Sequence, residues 1–218
     1  ARPPAYAPPG PTNRHLIVID PGHGGSDPGA MHNGLTEKNL TLDISQRLRT
    51  ILEARGWTVE MTRNADADVI TPQALASAKS DGKPDPEDRA ELQARDDIAN
   101  VGGARYFLSI HINSYGIASL HGTTVYYYKG IDKPFADALH RRLVGELGTT
   151  DLGVRRDKLY VLNHSTMPAA LVEVAFISNP VDADLLRSAE FRQKVAVAIA
   201  DGIDDYAASQ SPLSSTAQ

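Results

Sequence analysis

Two histidines and two glutamates stand out in this 218-residue chain because of where they fall. His23 lies in Asp20-Pro-Gly-His-Gly-Gly25, directly after a short apolar run. His111 closes another such run in Leu108-Ser-Ile-His-Ile-Asn113. Glu173 sits inside Leu171-Val-Glu-Val-Ala-Phe176, and Glu37 opens an amphipathic stretch in Leu35-Thr-Glu-Lys-Asn39. A catalytic zinc takes three protein ligands at about 2.0–2.2 Å for His nitrogen and carboxylate oxygen, and keeps one position for water. A further, unligated carboxylate can then move the water's proton. Two histidines, one ligating glutamate and one catalytic glutamate would meet that need. The chain has no cysteine, so a metal site here must rest on nitrogen and oxygen donors.

Each residue also has an ordinary explanation. A histidine after a glycine-rich turn is often just hydrogen-bonded at the surface. A glutamate in a first helical turn is favoured by the helix dipole. His111 within an apolar strand reads equally as a satisfied core histidine. Glu173 is harder to explain away, because an ionised carboxylate in an apolar strand costs several kcal/mol unless it is paired or metal-bound, on the order given for buried charges.

The elements that would carry these groups follow from hydrophobic patterning. Apolar runs at 15–20, 57–62, 105–112, 122–128, 159–162 and 169–176 predict six short strands. Leu40, Ile44, Leu48 and Leu52 mark a helix over 36–55, with Thr36 as N-cap and Gly56 as C-cap. Further helices are expected over 88–101, over 133–148 through Phe135, Leu139 and Leu143, and through Phe191, Val195, Ile199 and Ile203. Strands without polar alternation, interleaved with amphipathic helices, argue for a three-layer α/β domain with helices on both sheet faces. Sites in such sheets gather at the carboxyl ends of strands, where His23, His111 and Glu173 are expected.

Residues 1–14 are rich in proline and read as an extended arm, 15–207 as the domain, and 208–218 as a serine-rich tail. The segment 64–87 is longer than a simple connection needs; it reads as a surface insertion, or as a short helix bordering the cleft. A net charge of −5 without a basic block argues against nucleic acid as a partner. No apolar run approaches the roughly 20 residues that span a bilayer.

In the order and spacing of its motifs the chain resembles the zinc-dependent N-acetylmuramoyl-L-alanine amidases of the Amidase_3 family. The motifs are Val18-Ile-Asp-Pro-Gly-His-Gly-Gly25 with Asp27-Pro-Gly-Ala30, Glu37-Lys38, Met61-Thr-Arg63, Arg95 with Ala99-Asn100, Ser109-Ile-His-Ile-Asn113, Gly122 with Tyr126, and Leu171-Val-Glu-Val-Ala-Phe-Ile-Ser-Asn179. The resemblance implies one Zn2+ per chain on His23, Glu37 and His111, with Glu173 as the catalytic carboxylate. It implies a twisted mixed sheet of about six strands, and peptidoglycan or its muropeptides as substrate. Asn113, Arg63 and Arg95 are candidate substrate contacts, although a scaffold ion pair is the favoured reading of the two arginines. His15, His32, His121, His140 and His164 match no ligand motif.

Some relatives in Gram-negative bacteria carry an inserted helix that plugs the site, placed after the helix corresponding to 133–148. Here about ten residues, 149–158, separate that helix from the next expected strand, too few for such a plug at ~1.5 Å rise per helical residue. The expectation is therefore an open site with no required activator, in a monomer. A periplasmic or secreted protein is expected, its signal peptide removed before Ala1. A carboxypeptidase-like enzyme is the rival hydrolase, but it needs a His-x-x-Glu spacing, whereas His23 and Glu37 are fourteen apart. A non-catalytic wall-binding module is the rival from another class.

Overall fold

A computed structural model describes residues 15–80 and 82–210. The arm 1–14 and residues 211–218 lie outside the described residues. Strands β1 (Leu16–Pro21), β4 (Thr58–Met61), β5 (Tyr106–Asn113), β6 (Thr123–Tyr127), β7 (Asp151–Arg156) and β8 (Ala169–Phe176) form one six-stranded sheet in the order β4-β1-β5-β8-β6-β7. β4, β1, β5 and β8 run parallel; β6 runs antiparallel to β8, and β7 parallel to β6. The sheet is thus mixed, with helices on both faces. A two-residue pair, β2 (Met31–His32) with β3 (Leu35–Thr36), lies outside it.

The two faces differ. On one, Ile17, Ile19, Leu108, Ile110, Val172 and Val174 pack beneath α1 (Glu37–Ala54), α4 (Lys133–Leu147) and α7 (Ala189–Ser209). This is the larger core, and α4 lies against α7. On the other, Val18, Phe107, Ala169 and Leu171 meet a smaller cluster from α3 (Pro86–Gly102) and α5 (Tyr160–His164). Because side chains alternate along a strand, Asp20, Ser109, His111 and Glu173 stand on this second, thinner-covered face. α2 (Pro72–Ser80) packs on α3 through Ala74, Ala78, Ala90 and Ala94.

Most expected elements appear within a residue or two of their predicted bounds. α1 starts after Thr36, though the Thr36 side chain makes no capping hydrogen bond. The fifth expected strand differs: Leu159–Leu162 leads into the helix α5, and the strand is Asp151–Arg156. A four-residue apolar run has no period long enough to separate strand from helix. The true strand was masked by Gly153 and its charged residues, which suit a sheet edge that must not recruit another strand. α6 (Pro180–Arg187) was also missed, although Asn179 caps it by accepting from the Val181 and Asp182 amides. The closing helix reaches Ser209, past the expected domain limit at 207.

One buried acid sets a pH dependence of stability. Asp96 of α3 is only 2% exposed, accepts from the Ser165 hydroxyl at 3.0 Å, and has no partner for Oδ2 among the described residues. Burial pushes its pKa up to about 8 from 3.8. The folded state therefore holds a proton that the unfolded state has released, and stability falls as pH rises from 3.8 toward about 8. Asp96→Asn should flatten this slope and raise the melting temperature at pH 8 by a few degrees, at roughly 2–4 °C per kcal/mol. Thermal melts of both proteins across pH 5 to 9 check it.

Candidate metal and catalytic site

The site begins where β1 ends. Gly22 lets the chain pass directly under the His111 ring; a Cβ there would come within 2.3 Å of it. His23 then adopts φ of 60°, a left-handed conformation that is costly for a non-glycine residue. Its backbone is held from below, the carbonyl accepting from Arg95 Nη2 at 2.9 Å. Its ring is held from the side by Asp27, whose Oδ2 lies 2.6 Å from Nδ1, and Asp27 in turn accepts from the Gly29 amide at 2.9 Å. This carboxylate fixes the ring orientation and turns Nε2 toward Glu37, 3.2 Å away.

Glu37, the first residue of α1, is anchored at both oxygens. Oε2 accepts from the Ala30 amide and Oε1 from the Ile112 amide, each at 2.9 Å. Oε1 also faces His111 Nδ1 at 3.1 Å. One nitrogen from each histidine and one carboxylate oxygen of Glu37 thus lie within 4.8 Å of one another. Burial disfavours charge on His23, yet Glu37 and Asp27 outweigh it and push its pKa up to about 9. Burial likewise opposes an ionised Glu37, but its hydrogen bonds to His111 and His23 hold the carboxyl well below the usual range.

Glu173 stands beside this cluster. It pairs with His111 across the β5–β8 ladder, and the register slips immediately beyond, where the next pair is Asn113 with Phe176. The extra residue lies on β8, a bulge of the kind that re-aims side chains at active sites. Glu173 Oε2 is enclosed and has no hydrogen-bond partner among the described residues. Burial and the neighbouring Glu37 charge push its carboxyl well above the ordinary range. A cavity of about 590 Å³ opens beside the two histidines between α3 and α5, lined by His23, Asp27, His111, Glu91, Tyr160 and Leu171 among others.

Four residues expected from the sequence are therefore adjacent: His23, Glu37, His111 and Glu173. The other three candidates are placed differently. Arg63 and Arg95 are 4% and 3% exposed. Arg63 donates to the carbonyls of Pro21, Gly22 and Lys38, and Arg95 to Asp20, the Pro21 carbonyl and the His23 carbonyl. Both brace the loop from beneath, although Arg95 also reaches the cavity wall. Asn113 is half-buried at the end of β5, with its carbonyl accepting from the Ile177 amide at 2.8 Å. The role of Asp27 was missed; its signal was an acid four residues after a histidine in a glycine-rich loop.

A cluster able to hold a divalent ion, at the carboxyl ends of parallel strands and next to an enclosed, unpartnered carboxylate, defines a hydrolase of the α/β class. The chain belongs to the N-acetylmuramoyl-L-alanine amidase family, Amidase_3, which matches residues 17–205. It is 38% identical over 194 residues to the N-acetylmuramoyl-L-alanine amidase LytC of Bacillus subtilis, covering 87% of this chain and 35% of LytC, so it spans about a third of that relative. It is similar in fold to the catalytic domain of the amidase CwlV from Bacillus (Paenibacillus) polymyxa var. colistinus, with a TM-score of 0.76 and 32% identity over 88% of this chain and 97% of that one. It is also similar to the amidase CwlD from Clostridioides difficile, solved in complex with the GerS lipoprotein, with a TM-score of 0.80 and 28% identity over 89% of this chain and 99% of that one. Among the described residues, no helix is long and apolar enough to cross a membrane.

Proposed function

We propose that this amidase is zinc-dependent and cuts the amide bond between the lactyl group of N-acetylmuramic acid and the L-alanine of the stem peptide. The observation that carries this reading is the convergence of His23 Nε2, Glu37 Oε1 and His111 on one point, with the Glu173 carboxylate left unpartnered beside it. Two imidazoles and one carboxylate are a donor set suited to zinc, and these residues would hold the ion. When bound, zinc acts as a Lewis acid that lowers the pKa of water toward about 7 and stabilises negative charge on a carbonyl oxygen.

The chain's own residues supply the rest. Asp27 keeps the His23 ring turned so that Nε2 faces the cluster. Glu37, held by two backbone amides, cannot swing away. Glu173 takes a proton from the attacking water as its oxygen bonds to the lactyl carbonyl carbon, then delivers that proton to the L-alanine nitrogen as the C–N bond breaks. The cavity between α3 and α5 receives the stem peptide. Arg63 and Arg95, committed to carbonyls and to Asp20, position the loop rather than the substrate.

The site also works without release of a blocking helix. Three residues, 148–150, join α4 to β7, and the five-residue α5 that follows forms part of the cavity wall. The protein acts outside the cytoplasm, where its polymer substrate lies. The test uses the isolated chain on purified peptidoglycan. Mass spectrometry should find new free L-alanine amino termini, metal analysis about one zinc per chain, and neither result should need an added protein. Cleavage only with an added partner, or stem peptides that remain attached, would overturn the reading.

A further inference from the structure

The loop that carries His23 is clasped on its solvent side by a second, distant loop. Asp66 and Asp68 lie in the long segment between β4 and α2. Asp68 Oδ1 accepts from both the Ser26 amide and the Ser26 hydroxyl, at 2.7 and 2.8 Å. Asp66 Oδ1 accepts from the Gly25 amide at 2.8 Å. Lys38, next to Glu37, completes the clasp: its Nζ donates to the Gly25 carbonyl and pairs with Asp66 Oδ2, each at 2.8 Å. The two loops are in direct contact, since a Cβ on Gly25 would lie 2.2 Å from Asp68 Oδ1 and one on Gly24 would lie 2.5 Å from the Ala67 carbonyl.

The clasp is itself anchored at both ends. Arg63 donates to the Ala65 carbonyl at 3.1 Å. Val69, 5% exposed, packs with the alanines of α2 and α3, and its amide donates to Glu91 at 2.7 Å. A loose surface insertion would have none of these ties. What the clasp holds is a run of three left-handed residues, with φ of 60° at His23, 135° at Gly24 and 53° at Gly25. Glycine takes positive φ freely, so of the three only His23 is strained; with the clasp gone, less holds it there and its ring can shift.

We propose that Asp68, aided by Asp66 and Lys38, is a positioning residue for the metal site: it holds Gly25 and Ser26 so that His23 is already set to ligate. The proposal rests on the zinc reading above. Asp68 touches no ligand, and its side chain is exposed, so its removal should leave the fold intact. Outer partners of metal ligands typically govern affinity by about 10- to 100-fold.

The test compares the wild type with Asp68→Ala and Asp68→Asn by zinc titration against a chelator of known affinity, alongside melting of the zinc-free proteins. Asp68→Ala should bind zinc about tenfold more weakly while melting like the wild type. Asp68→Asn keeps an oxygen that can accept from Ser26, so its affinity should stay near the wild-type value. Unchanged affinity in Asp68→Ala would overturn the proposal. So would an Asp68→Asn as weak as the alanine variant, which would make charge the cause, or a parallel loss of melting temperature, which would make it general instability. A wild type that takes up no zinc would instead overturn the metal reading on which the proposal stands.

Discussion

Glu173→Ala is expected to lower peptidoglycan hydrolysis by about 10²–10⁴-fold, the usual worth of a positioned general acid and base, while zinc content stays at the wild-type level. The reason is the separation of roles within the site. His23, Glu37 and His111 meet at one point, whereas Glu173 comes from the neighbouring strand and none of its oxygens belongs to that group. On the proposed assignment its removal deletes the proton carrier and none of the three metal-binding groups. Glu173→Gln is the stricter variant, since it keeps the shape of the side chain but cannot take up a proton. Hydrolysis rates on purified cell walls, measured beside metal content, separate the outcomes. A variant retaining most of its turnover would place the proton transfer on another group.

His111→Ala is expected to act on the metal first and on turnover as a consequence. On the proposed assignment His111 is one of three ligands, and its ring fills the space above Gly22 and faces Glu37 Oε1 at 3.1 Å. Its loss leaves two donors where a catalytic zinc takes three. Zinc recovered with the purified protein should fall well below one per chain, and hydrolysis should fall by more than about 10²-fold, beyond the effect typical of outer partners. Added zinc should restore little. His23→Ala should behave alike. Either variant retaining full zinc would remove that histidine from the ligand set.

Three of the four candidate residues were legible because each breaks a pattern, whereas Glu37, an acid in a first helical turn, breaks none and was assigned a role only through the family resemblance. Glu173 is a charge in an apolar strand, His111 ends another, and His23 follows a strand in a glycine-rich turn. The strands were legible because those near the sheet centre are apolar throughout; β1 is buried along its whole length. The edge strand β7 was not, since a strand paired on one side only carries polar residues and a glycine, and so looks like a connection. Asp27 and Asp68 were hidden for a different reason. Both are acids in loops, where acids are common, and only the fold brings Asp68 against Ser26 across 42 positions of chain. The arginines were visible as charges, yet sequence alone does not say whether a guanidinium faces a ligand or, as Arg95 does, backbone carbonyls and Asp20.

The unequal coverage of the sheet has an evolutionary consequence. The face beneath α1, α4 and α7 carries most of the apolar packing, and so most substitutions there are costly. Among the described residues the opposite face, which carries the candidate site, is roofed by α3 and the short α5, with α2 packed against α3. Changes in those covering pieces reshape the cavity without disturbing the main core. A lineage can thus reshape that cavity while keeping one stable foundation, a freedom that variable pieces on a rigid scaffold provide in many enzymes.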